Sequence, residues 1–415
     1  MEDKLLSDIA EVHGTPLYVF DGECIISSYK RLKNALPRDF EILYSMKSNP
    51  LLGICELFRK LGSGIEVASS GELYTALEAG FMPDKIIFTS PGKTPEELEY
   101  AIEMGIYSIN IESVEEAKLI DAIAGRKCRN VNISLRVNPD FDFTGSSIKM
   151  AGVPTQFGIT QVQLDDAFNV IKKLPNVSVI GIHVYMGTQI SNAQNILENM
   201  DKTIKLALDL AEINDFRLEF LDLGGGFGVP YFKGENALEM QTLQEGLGDI
   251  WSRYEHRLAG TRVAVESGRF LMAEAGVYLV KALYTKECKG NKYIICDGGS
   301  NQHASSAFLG RHIRNNFPMH VLNKRGADKE VNITGPLCTP TDVIGQRVQT
   351  PEIVPGDILA IEKSGAYGLT QSPALFLSHP LPMEVIHYKG STHILRERGK
   401  KEDFLKGQKN LNAVL

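Results

Sequence analysis

The sequence predicts an α/β protein: a (β/α)8 TIM barrel followed by a mostly antiparallel β-sandwich or β-barrel domain. Eight short runs of β-branched and aromatic residues alternate with helical stretches up to residue 267, and beyond residue 270 strand-like runs follow one another with few helical stretches between them. The length of 415 residues also exceeds what a single core usually encloses. We therefore expect residues 24–270 to form the barrel, and residues 1–23 together with 271–415 to form the β domain.

The eight predicted barrel strands are spaced as β-α units require. They are EILYSMK (41–47), GIEVA (64–68), KIIFTS (85–90), YSINIE (107–112), NISLRVN (132–138), VIGIHVYM (179–186), FLDLGGG (220–226) and RVAVES (262–267). Helical stretches separate these runs, and one of them begins at Thr94 with Glu97 three residues later, which is the pattern of a capping box. Eight such units favour a closed parallel barrel over an open, doubly wound sheet.

The second half of the chain is predicted to form strands separated by Gly, Pro or charged turns. These strand-like runs are VYLVKALYTKE, KYIICDGG, EVNITG, DILAIEKSGAYG, PMEVIHYKG and THILRERG. Because few helical stretches intervene, the connections favour antiparallel pairing.

Composition and charge exclude several classes of protein. The formal net charge of −7 argues against a general binder of nucleic acid or anionic membranes. Six cysteines are spread without CxxC spacing, so that neither a disulfide framework nor a metal site is expected. The N-terminal sequence lacks the layout of a signal peptide, and no apolar run has membrane-spanning length. We expect a cytoplasmic enzyme.

A phosphate site is predicted where barrel strands seven and eight end. In TIM barrels the catalytic groups lie at the C-terminal ends of the strands, and phosphate is commonly held after the seventh and eighth. Gly224, Gly225 and Gly226 leave backbone N–H groups accessible to an anion, and Arg269 follows strand eight. The glycines alone are equally typical of a tight turn, and the pairing with Arg269 is what favours phosphate.

Lys47, at the end of strand one, suggests the cofactor. A lysine in this position either reaches solvent or forms a Schiff base, and the second role suits a partly desolvated ammonium. A Schiff-base lysine beside a phosphate site is what pyridoxal 5'-phosphate (PLP) needs, and Glu266 at the end of strand eight would then hold the pyridine nitrogen. Other polar side chains expected near the strand ends are Glu66, Arg136, His183, Tyr185 and Thr188.

Taken in order along the chain, the motifs resemble those of a known family. YSMKSNP, GIEVASSGEL, HVYMGTQ, LDLGGGFG, ESGRFLMAEAG, CDGG, GPLCTPTD and GDILAIEKSGAYG resemble the fold-type III PLP-dependent decarboxylases, the group that acts on diaminopimelate, ornithine and arginine. The resemblance covers nearly the whole chain. It implies a barrel of the alanine racemase type, a following β domain, and a homodimer with active sites at the interface.

The resemblance also implies roles for individual residues. Lys47 matches the PLP-linking lysine, Glu266 the carboxylate at the pyridine nitrogen, and Cys338 the cysteine that the partner subunit contributes to reprotonate the substrate. The expected PLP-binding residues are Lys47, Glu66, Tyr185, Thr188, Gly224, Gly225, Gly226, Glu266, Gly268, Arg269 and Tyr367. Without the resemblance, Cys338 and Tyr367 are each more typical of structural positions.

Departures from the family pattern bear on the substrate. Tyr185 stands where the family has a ring-stacking histidine, and ESGR replaces EPGR. Thr339 replaces the Asp or Glu that reads a distal amine, which removes a charge-assisted hydrogen bond of about 1.5–3 kcal/mol. The Arg-Pro motif that follows the DGG segment in diaminopimelate decarboxylases is also absent.

The altered motifs resemble a specialised branch of the family. That branch includes the glutamyl-carrier-protein decarboxylase of butirosin biosynthesis, which is the more similar, and the decarboxylase of staphyloferrin B assembly. Both act on an amino acid that is joined to a larger group. Thr339, Asp342, Arg311 and Arg314 are therefore the candidate substrate contacts. Asp342 is equally typical of a turn cap, and the two arginines of a solvated basic stretch.

Four other functions fit parts of the pattern. They are a diaminopimelate decarboxylase, a racemase of the same fold, a catalytically inactive binding or regulatory protein with the PLP fold, and a lysine aldolase without PLP. The GPLC and GAYG motifs favour decarboxylation over racemisation, and retention of Lys47, Glu266, Arg269 and Cys338 argues against an inactive protein.

Overall fold

The chain divides into two compact units in a computed structural model, which describes residues 1–141, 148–149, 152–307 and 315–411. The barrel unit comprises Ile26–Pro230 and Glu235–Leu271. The sheet unit comprises Met1–Ile25, Tyr231–Gly234 and Met272–Leu415.

The barrel unit contains the predicted closed parallel barrel. Its strands are Phe40–Ser45, Gly64–Val67, Ile86–Thr89, Ser108–Ile111, Val131–Asn138, Val177–His183, Phe220–Asp222 and Arg262–Ser267. Each strand pairs in parallel with its neighbour, and the eighth pairs with the first, as in Val265 opposite Ile42. Alternating apolar side chains fill the interior, including Leu43, Ile87 and Phe220. The fold-class prediction is confirmed for this unit.

One helix precedes the first barrel strand, and others follow each of the eight strands. They are Gly22–Ala35, Leu52–Lys60, Ser70–Glu78, Pro95–Met104, Val114–Arg126, Leu164–Ile171, Ala193–Ile213, Met240–Tyr254 and Arg269–Met272. The predicted capping box is present, because the Thr94 hydroxyl accepts from the Glu97 N–H and the Glu97 carboxylate accepts from the Thr94 N–H. Of the helices in the described ranges, none has the length and apolar character needed to cross a membrane.

Three barrel strands end two or more residues before the predicted C-terminal bound. Strand one ends at Ser45, and Lys47 lies in a single 3-10 turn, Met46–Ser48. Strand six ends at His183 rather than continuing through Tyr185, and strand seven ends at Asp222, before the glycines. The chain turns away after strands six and seven because the glycine loop packs directly against the segment after strand six: a Cβ on Gly224 would lie 2.5 Å from the Val184 carbonyl oxygen.

The sheet unit is built on one mixed sheet in which antiparallel pairs predominate, as predicted. Its strands are Leu17–Asp21, Gly276–Cys288, Asn291–Cys296, Met319–Val321, Lys329–Thr334, Val343–Thr350, Ile358–Ile361, Met383–Tyr388 and Ser391–Arg396. Neither Met319–Val321 nor Val343–Thr350 was predicted from the sequence, and the second of these strands contains four polar residues in its eight. The N-terminal strand Leu17–Asp21 lies inside this sheet, and helix Asp3–His13 packs its apolar side chains on the sheet through Leu6 and Ile9.

His320 ties the N-terminal helix to the sheet. Its Nε2 lies 2.9 Å from Asp3 Oδ1, and its Nδ1 lies 3.1 Å from Glu362 Oε1. The hydrogen bond to Glu362, and further contacts with Asp3, raise the pKa of His320 above its ordinary value despite partial burial. The protonated imidazole therefore joins two carboxylates.

We expect His320→Gln to lower the free energy of unfolding by up to about 1 kcal/mol near pH 6. Since the folded-state pKa is raised, the stabilisation is complete below the unfolded-state pKa and disappears as pH rises through the folded-state value. Urea unfolding of wild type and variant across this range measures the difference, with exposed His393→Gln as the control. A difference that grows with increasing pH would contradict this assignment.

Candidate active site

Lys47 and Glu66 form an ion pair at the C-terminal ends of the first two barrel strands. Lys47 Nζ lies 2.9 and 3.0 Å from the two Glu66 carboxylate oxygens. Glu66 is buried, whereas the Lys47 side chain is 39% exposed. Nζ also lies 5.9 Å from the centroid of the Tyr185 ring. The lysine is thus held by a buried carboxylate while its side chain stays partly exposed.

The glycine loop after strand seven lies between strand eight and the chain that follows strand six. A Cβ on Gly225 would be 2.2 Å from the Glu266 carbonyl oxygen, and one on Gly226 would be 2.5 Å from the Gly187 carbonyl oxygen. Gly224 and Gly226 also have φ of +64° and +100°. Only glycine satisfies both the spacing and the backbone conformation here. The loop therefore packs against Glu266 of strand eight and against Gly187 of the segment after strand six.

Gly268 brings the start of the last barrel helix against the turn that contains Lys47. A Cβ on Gly268 would lie 2.7 Å from Ser48 Oγ and 2.9 Å from the Ser45 carbonyl oxygen. The next residue, Arg269, begins helix Arg269–Met272 and is partly buried. The structure therefore groups the lysine turn, the glycine loop and Arg269 around the strand ends.

Strand register places three polar side chains at one level of the barrel. Arg136 is paired with His183, and His183 is paired with Asp222, across strands five, six and seven. Glu266 lies two residues beyond Ala264, the partner of Asp222 in strand eight. One ligand-capable atom from each of His183, Asp222 and Glu266 lies within 4.8 Å of the others.

Burial shifts the pKa values of His183, Asp222 and Glu266. Burial and the positive charges of Arg136 and Lys47 lower the pKa of His183 well below its ordinary value, so that its imidazole is neutral at physiological pH. Burial raises the pKa of Asp222 to about 7. Burial, with the nearby carboxylates of Glu66 and Asp222, raises the pKa of Glu266 well above its ordinary value.

Arg136 connects Tyr185 to the segment after strand five. Its Nη1 donates to Glu112 Oε1 at 2.6 Å, and its Cζ lies 4.6 Å from the Phe157 ring centroid and 6.0 Å from that of Tyr185. The second Glu112 oxygen accepts from the Gly158 N–H at 2.7 Å. Two cations, Lys47 and Arg136, therefore lie within about 6 Å of the Tyr185 ring centroid.

A second buried lysine, Lys93, has a different environment. Its side chain is fully buried, and Nζ donates to the carbonyl oxygens of Ser90 and Asn110, both at 2.8 Å, and to Glu116 Oε1 at 2.5 Å. Burial lowers the pKa of Lys93, and the contact with Glu116 opposes that effect. Three acceptors thus occupy the ammonium, which leaves it poorly placed to react.

The GPLCTPTD turn of the sheet unit contains three predicted site residues. Cys338 is exposed, and the Thr339 hydroxyl lies 3.0 Å from that of Thr341. Asp342 is buried, and its carboxylate accepts from the N–H groups of Ser300 and Leu337 at 2.7 and 2.8 Å. Each Asp342 oxygen thus has a backbone donor, as a turn cap requires, and the predicted substrate contact of Asp342 stays a prediction.

Tyr367, also in the sheet unit, is partly buried with φ of +55°. Its carbonyl oxygen accepts from the Ser305 hydroxyl at 3.1 Å. Arg311 and Arg314 lie outside the described residues, so their predicted role as substrate contacts stays a prediction.

The barrel residues fit PLP. Glu266 Oε1 is buried and has no hydrogen-bond partner among the described residues, which suits a carboxylate facing a protonated ring nitrogen. Lys47 offers an accessible amine, while the glycine loop and Arg269 stand where barrels commonly hold phosphate. These are the three kinds of group that the cofactor requires.

Comparison with known proteins identifies the family. Residues 23–273 match the family model for the pyridoxal binding domain of pyridoxal-dependent decarboxylases. The chain belongs to this family. The predicted class, a PLP-dependent decarboxylase, is confirmed, and PLP is the cofactor of the family.

Two curated relatives cover almost the whole decarboxylase chain. The chain is 40% identical over 400 residues to the L-glutamyl-BtrI acyl-carrier protein decarboxylase of Niallia circulans, covering 95% of this chain and 94% of that relative. It is 30% identical to the diaminopimelate decarboxylase of Methanocaldococcus jannaschii, covering 96% and 92%. A crystal structure of diaminopimelate decarboxylase from M. jannaschii superposes with a TM-score of 0.90 at 28% identity, covering 98% and 95%.

Several residues of this site are not among the candidates predicted from the sequence. Asp222 and the Glu112–Arg136 pair were not proposed to have roles, and His183 was noted only as part of strand six. The only feature of the sequence that could have indicated these residues is their position: Arg136 and His183 lie near the ends of parallel strands, and Asp222 ends the strand before the glycines. Position alone does not show which of these side chains are neighbours, because that depends on the register between strands.

Proposed function

We propose that this decarboxylase removes CO2 from an amino acid joined as an acyl group to a carrier protein, in a specialised antibiotic or siderophore pathway. The observation that supports it most is the 40% identity to the decarboxylase of a glutamyl carrier protein, against 30% for a diaminopimelate decarboxylase. Free diaminopimelate is the alternative substrate.

The GPLCTPTD turn supports the same proposal. Thr339 offers a hydroxyl where an acid would bind a distal ammonium, and Asp342, the one carboxylate of the turn, is buried with backbone donors on both oxygens. Losing a charge-assisted hydrogen bond of about 1.5–3 kcal/mol disfavours a free diamino acid by roughly 10–150-fold.

Each proposed site residue has a distinct task. PLP supplies the electron sink that stabilises charge at the α carbon after CO2 leaves. Lys47 would hold the cofactor covalently, with Glu66 positioning its amine, and Glu266 would accept from the ring N–H. Arg269 and the backbone of Gly224–Gly226 would bind the phosphate together with Tyr367, while Thr188 and Tyr185 would contact the ring side. Cys338 would return a proton to the substrate.

We also propose a homodimer that works in the cytoplasm. The family resemblance assigns Cys338 to the active site of the partner subunit, and the cysteine is exposed as such a role requires. All six cysteines are free thiols, in keeping with a reducing compartment.

The substrate proposal is tested by measuring CO2 release from an L-glutamyl carrier protein, a citryl conjugate, and free glutamate, diaminopimelate, ornithine and lysine. We expect kcat/KM for a tethered substrate to exceed that for each free amino acid by on the order of 100-fold. Faster turnover of free diaminopimelate would refute the proposal. A product with its carboxylate retained and its α carbon inverted would indicate a racemase.

A variant tests the role of position 339. Thr339→Glu restores an acid where the family has one, and we expect it to raise the ratio of free diaminopimelate to tethered turnover by roughly 10-fold or more. Gln346→Glu, at an exposed position of strand Val343–Thr350 in the same unit, adds the same charge away from Thr339 and is the control that should leave the ratio unchanged. Equal effects of both substitutions would indicate a general effect of charge and not recognition at position 339.

A further inference from the structure

Asp222 and Glu266 form a buried pair of carboxylates beneath the glycine loop. Asp222 is fully buried and Glu266 is 2% exposed. One carboxylate oxygen of each side chain lies within 4.8 Å of the other, and a hydrogen bond between the two carboxyl groups requires a proton on one of them. Asp222 Oδ2 and Glu266 Oε1 have no donor among the described residues.

Two ionised carboxylates are not stable in this position. Like charges at this separation in a water-excluded site raise each other's pKa, so one proton stays on the pair. The neighbouring His183 does not remove the need for that proton, because its Nε2 lies 3.5 Å from Glu266 Oε1 and its imidazole is neutral.

The two oxygens of Asp222 have different surroundings. Oδ1 accepts from the Gly224 N–H at 2.9 Å and so fixes the first residue of the glycine loop. Oδ2, without a donor, is the oxygen able to hold a proton. Asp222 therefore links the loop proposed to bind phosphate to the carboxylate proposed to bind the ring nitrogen.

We propose that Asp222 and Glu266 share one proton, and that Asp222 is a positioning residue that fixes Gly224 through Oδ1 and donates the shared proton to Glu266 from Oδ2. Its consequence for cofactor binding rests on the proposed function of Glu266. With a cation facing Glu266, the proton stays on Asp222 and Glu266 is oriented as an anion.

The charges around the pair favour this arrangement. The groups that act on Glu266 come from several strands and from the lysine turn: Glu66, Asp222, Lys47, Arg136 and His183. Lys47 and Arg136 favour one negative charge on the pair, while Glu66 disfavours a second. Burial raises the pKa of Asp222 to about 7 and raises the pKa of Glu266 well above its ordinary value, so the pair retains a proton at neutral pH.

Infrared spectroscopy of the cofactor-free protein tests the shared proton directly. We expect the C=O stretch of an un-ionised carboxylic acid in wild type at neutral pH, and its loss at a pH well above 7. Asp222→Asn removes the repulsion and adds an amide donor, so the midpoint for loss of the remaining acid band should fall by about one pH unit or more. Glu266→Gln should lower the midpoint for Asp222 likewise.

Glu72 provides the control for this measurement. Its pKa is raised to about 7 by burial, so it contributes an acid band of its own. Glu72→Gln should remove that band and leave the midpoint of the pair unchanged. Absence of an acid band in wild type, or an unchanged midpoint in both Asp222→Asn and Glu266→Gln, would overturn the proposal. A stoichiometric metal ion that either variant loses would overturn it as well.

Cofactor binding by the apoprotein tests the positioning role. Asn at position 222 keeps an acceptor for Gly224 and a donor for Glu266, so Asp222→Asn should bind PLP within about threefold of wild type. Asp222→Ala loses both contacts and should bind on the order of 10-fold more weakly. Equal affinity of the alanine variant and wild type would refute the positioning role. Because the infrared test needs no cofactor, its outcome is separate from failure of the proposed reaction.

Discussion

Replacing Lys47 with alanine should abolish decarboxylation, with kcat/KM falling by at least about 1000-fold. The substitution removes the amine that would hold PLP and leaves Glu66, buried and 2.9 Å from the missing ammonium, without its cation. CO2 release measures the activity, and reduction of the PLP-loaded protein with borohydride followed by peptide mapping measures the covalent link. We expect the phosphopyridoxyl group on Lys47 in wild type and on no lysine in the variant.

Two comparisons distinguish loss of the covalent link to PLP from loss of a positive charge: the variant Lys47→Arg, and labelling of the second buried lysine, Lys93. Arginine keeps a cation beside Glu66 and cannot form the link, so Lys47→Arg should be as inactive as Lys47→Ala while being more stable. Lys93 is the matched lysine, since it is fully enclosed and donates to three oxygens. A label on Lys93, or substantial activity in Lys47→Arg, would contradict the assignment of Lys47.

Replacing Gly225 with alanine should weaken PLP binding by on the order of 100-fold or more and lower thermal stability. The new Cβ would lie 2.2 Å from the Glu266 carbonyl oxygen, which is backbone and cannot rotate away. The glycine loop must therefore move, and it would take with it the proposed phosphate contacts and the fixed position of Glu266. Titration of the apoprotein with PLP, together with a thermal unfolding curve, measures both effects.

Gly248→Ala is the control for that substitution. Gly248 lies in helix Met240–Tyr254 of the same unit, and nothing lies within 4 Å of a Cβ built there. Alanine at this position should leave PLP affinity unchanged and stabilise the helix by about 0.5–1 kcal/mol. If Gly225→Ala bound PLP as tightly as Gly248→Ala, the close contact with Glu266 would not constrain the site.

The sequence was sufficient to predict the fold class because the local pattern of strands and helices agrees with the architecture of the folded protein. Eight runs of strand-forming residues separated by helices of similar length have few topologies open to them, and the capping box at Thr94 and Glu97 formed as the spacing predicted. The predicted ends of strands one, six and seven were wrong, because the strand-like sequence continues beyond the residue at which each strand ends. After strand six, for example, the backbone of Val184 packs closely against Gly224 and the chain turns away.

The order of the residues along the chain was enough to predict which residue types the candidate site contains, since Lys47, the three glycines, Glu266 and Arg269 follow strands in the order that a PLP barrel requires. Which of these side chains come into contact depends on the folded barrel. Strand register, which depends on how the barrel closes, placed Asp222 and His183 beside Glu266. Burial then shifted the pKa values of the carboxyl groups. Desolvation depends on the closed, folded barrel, so these shifts could not be predicted from the sequence.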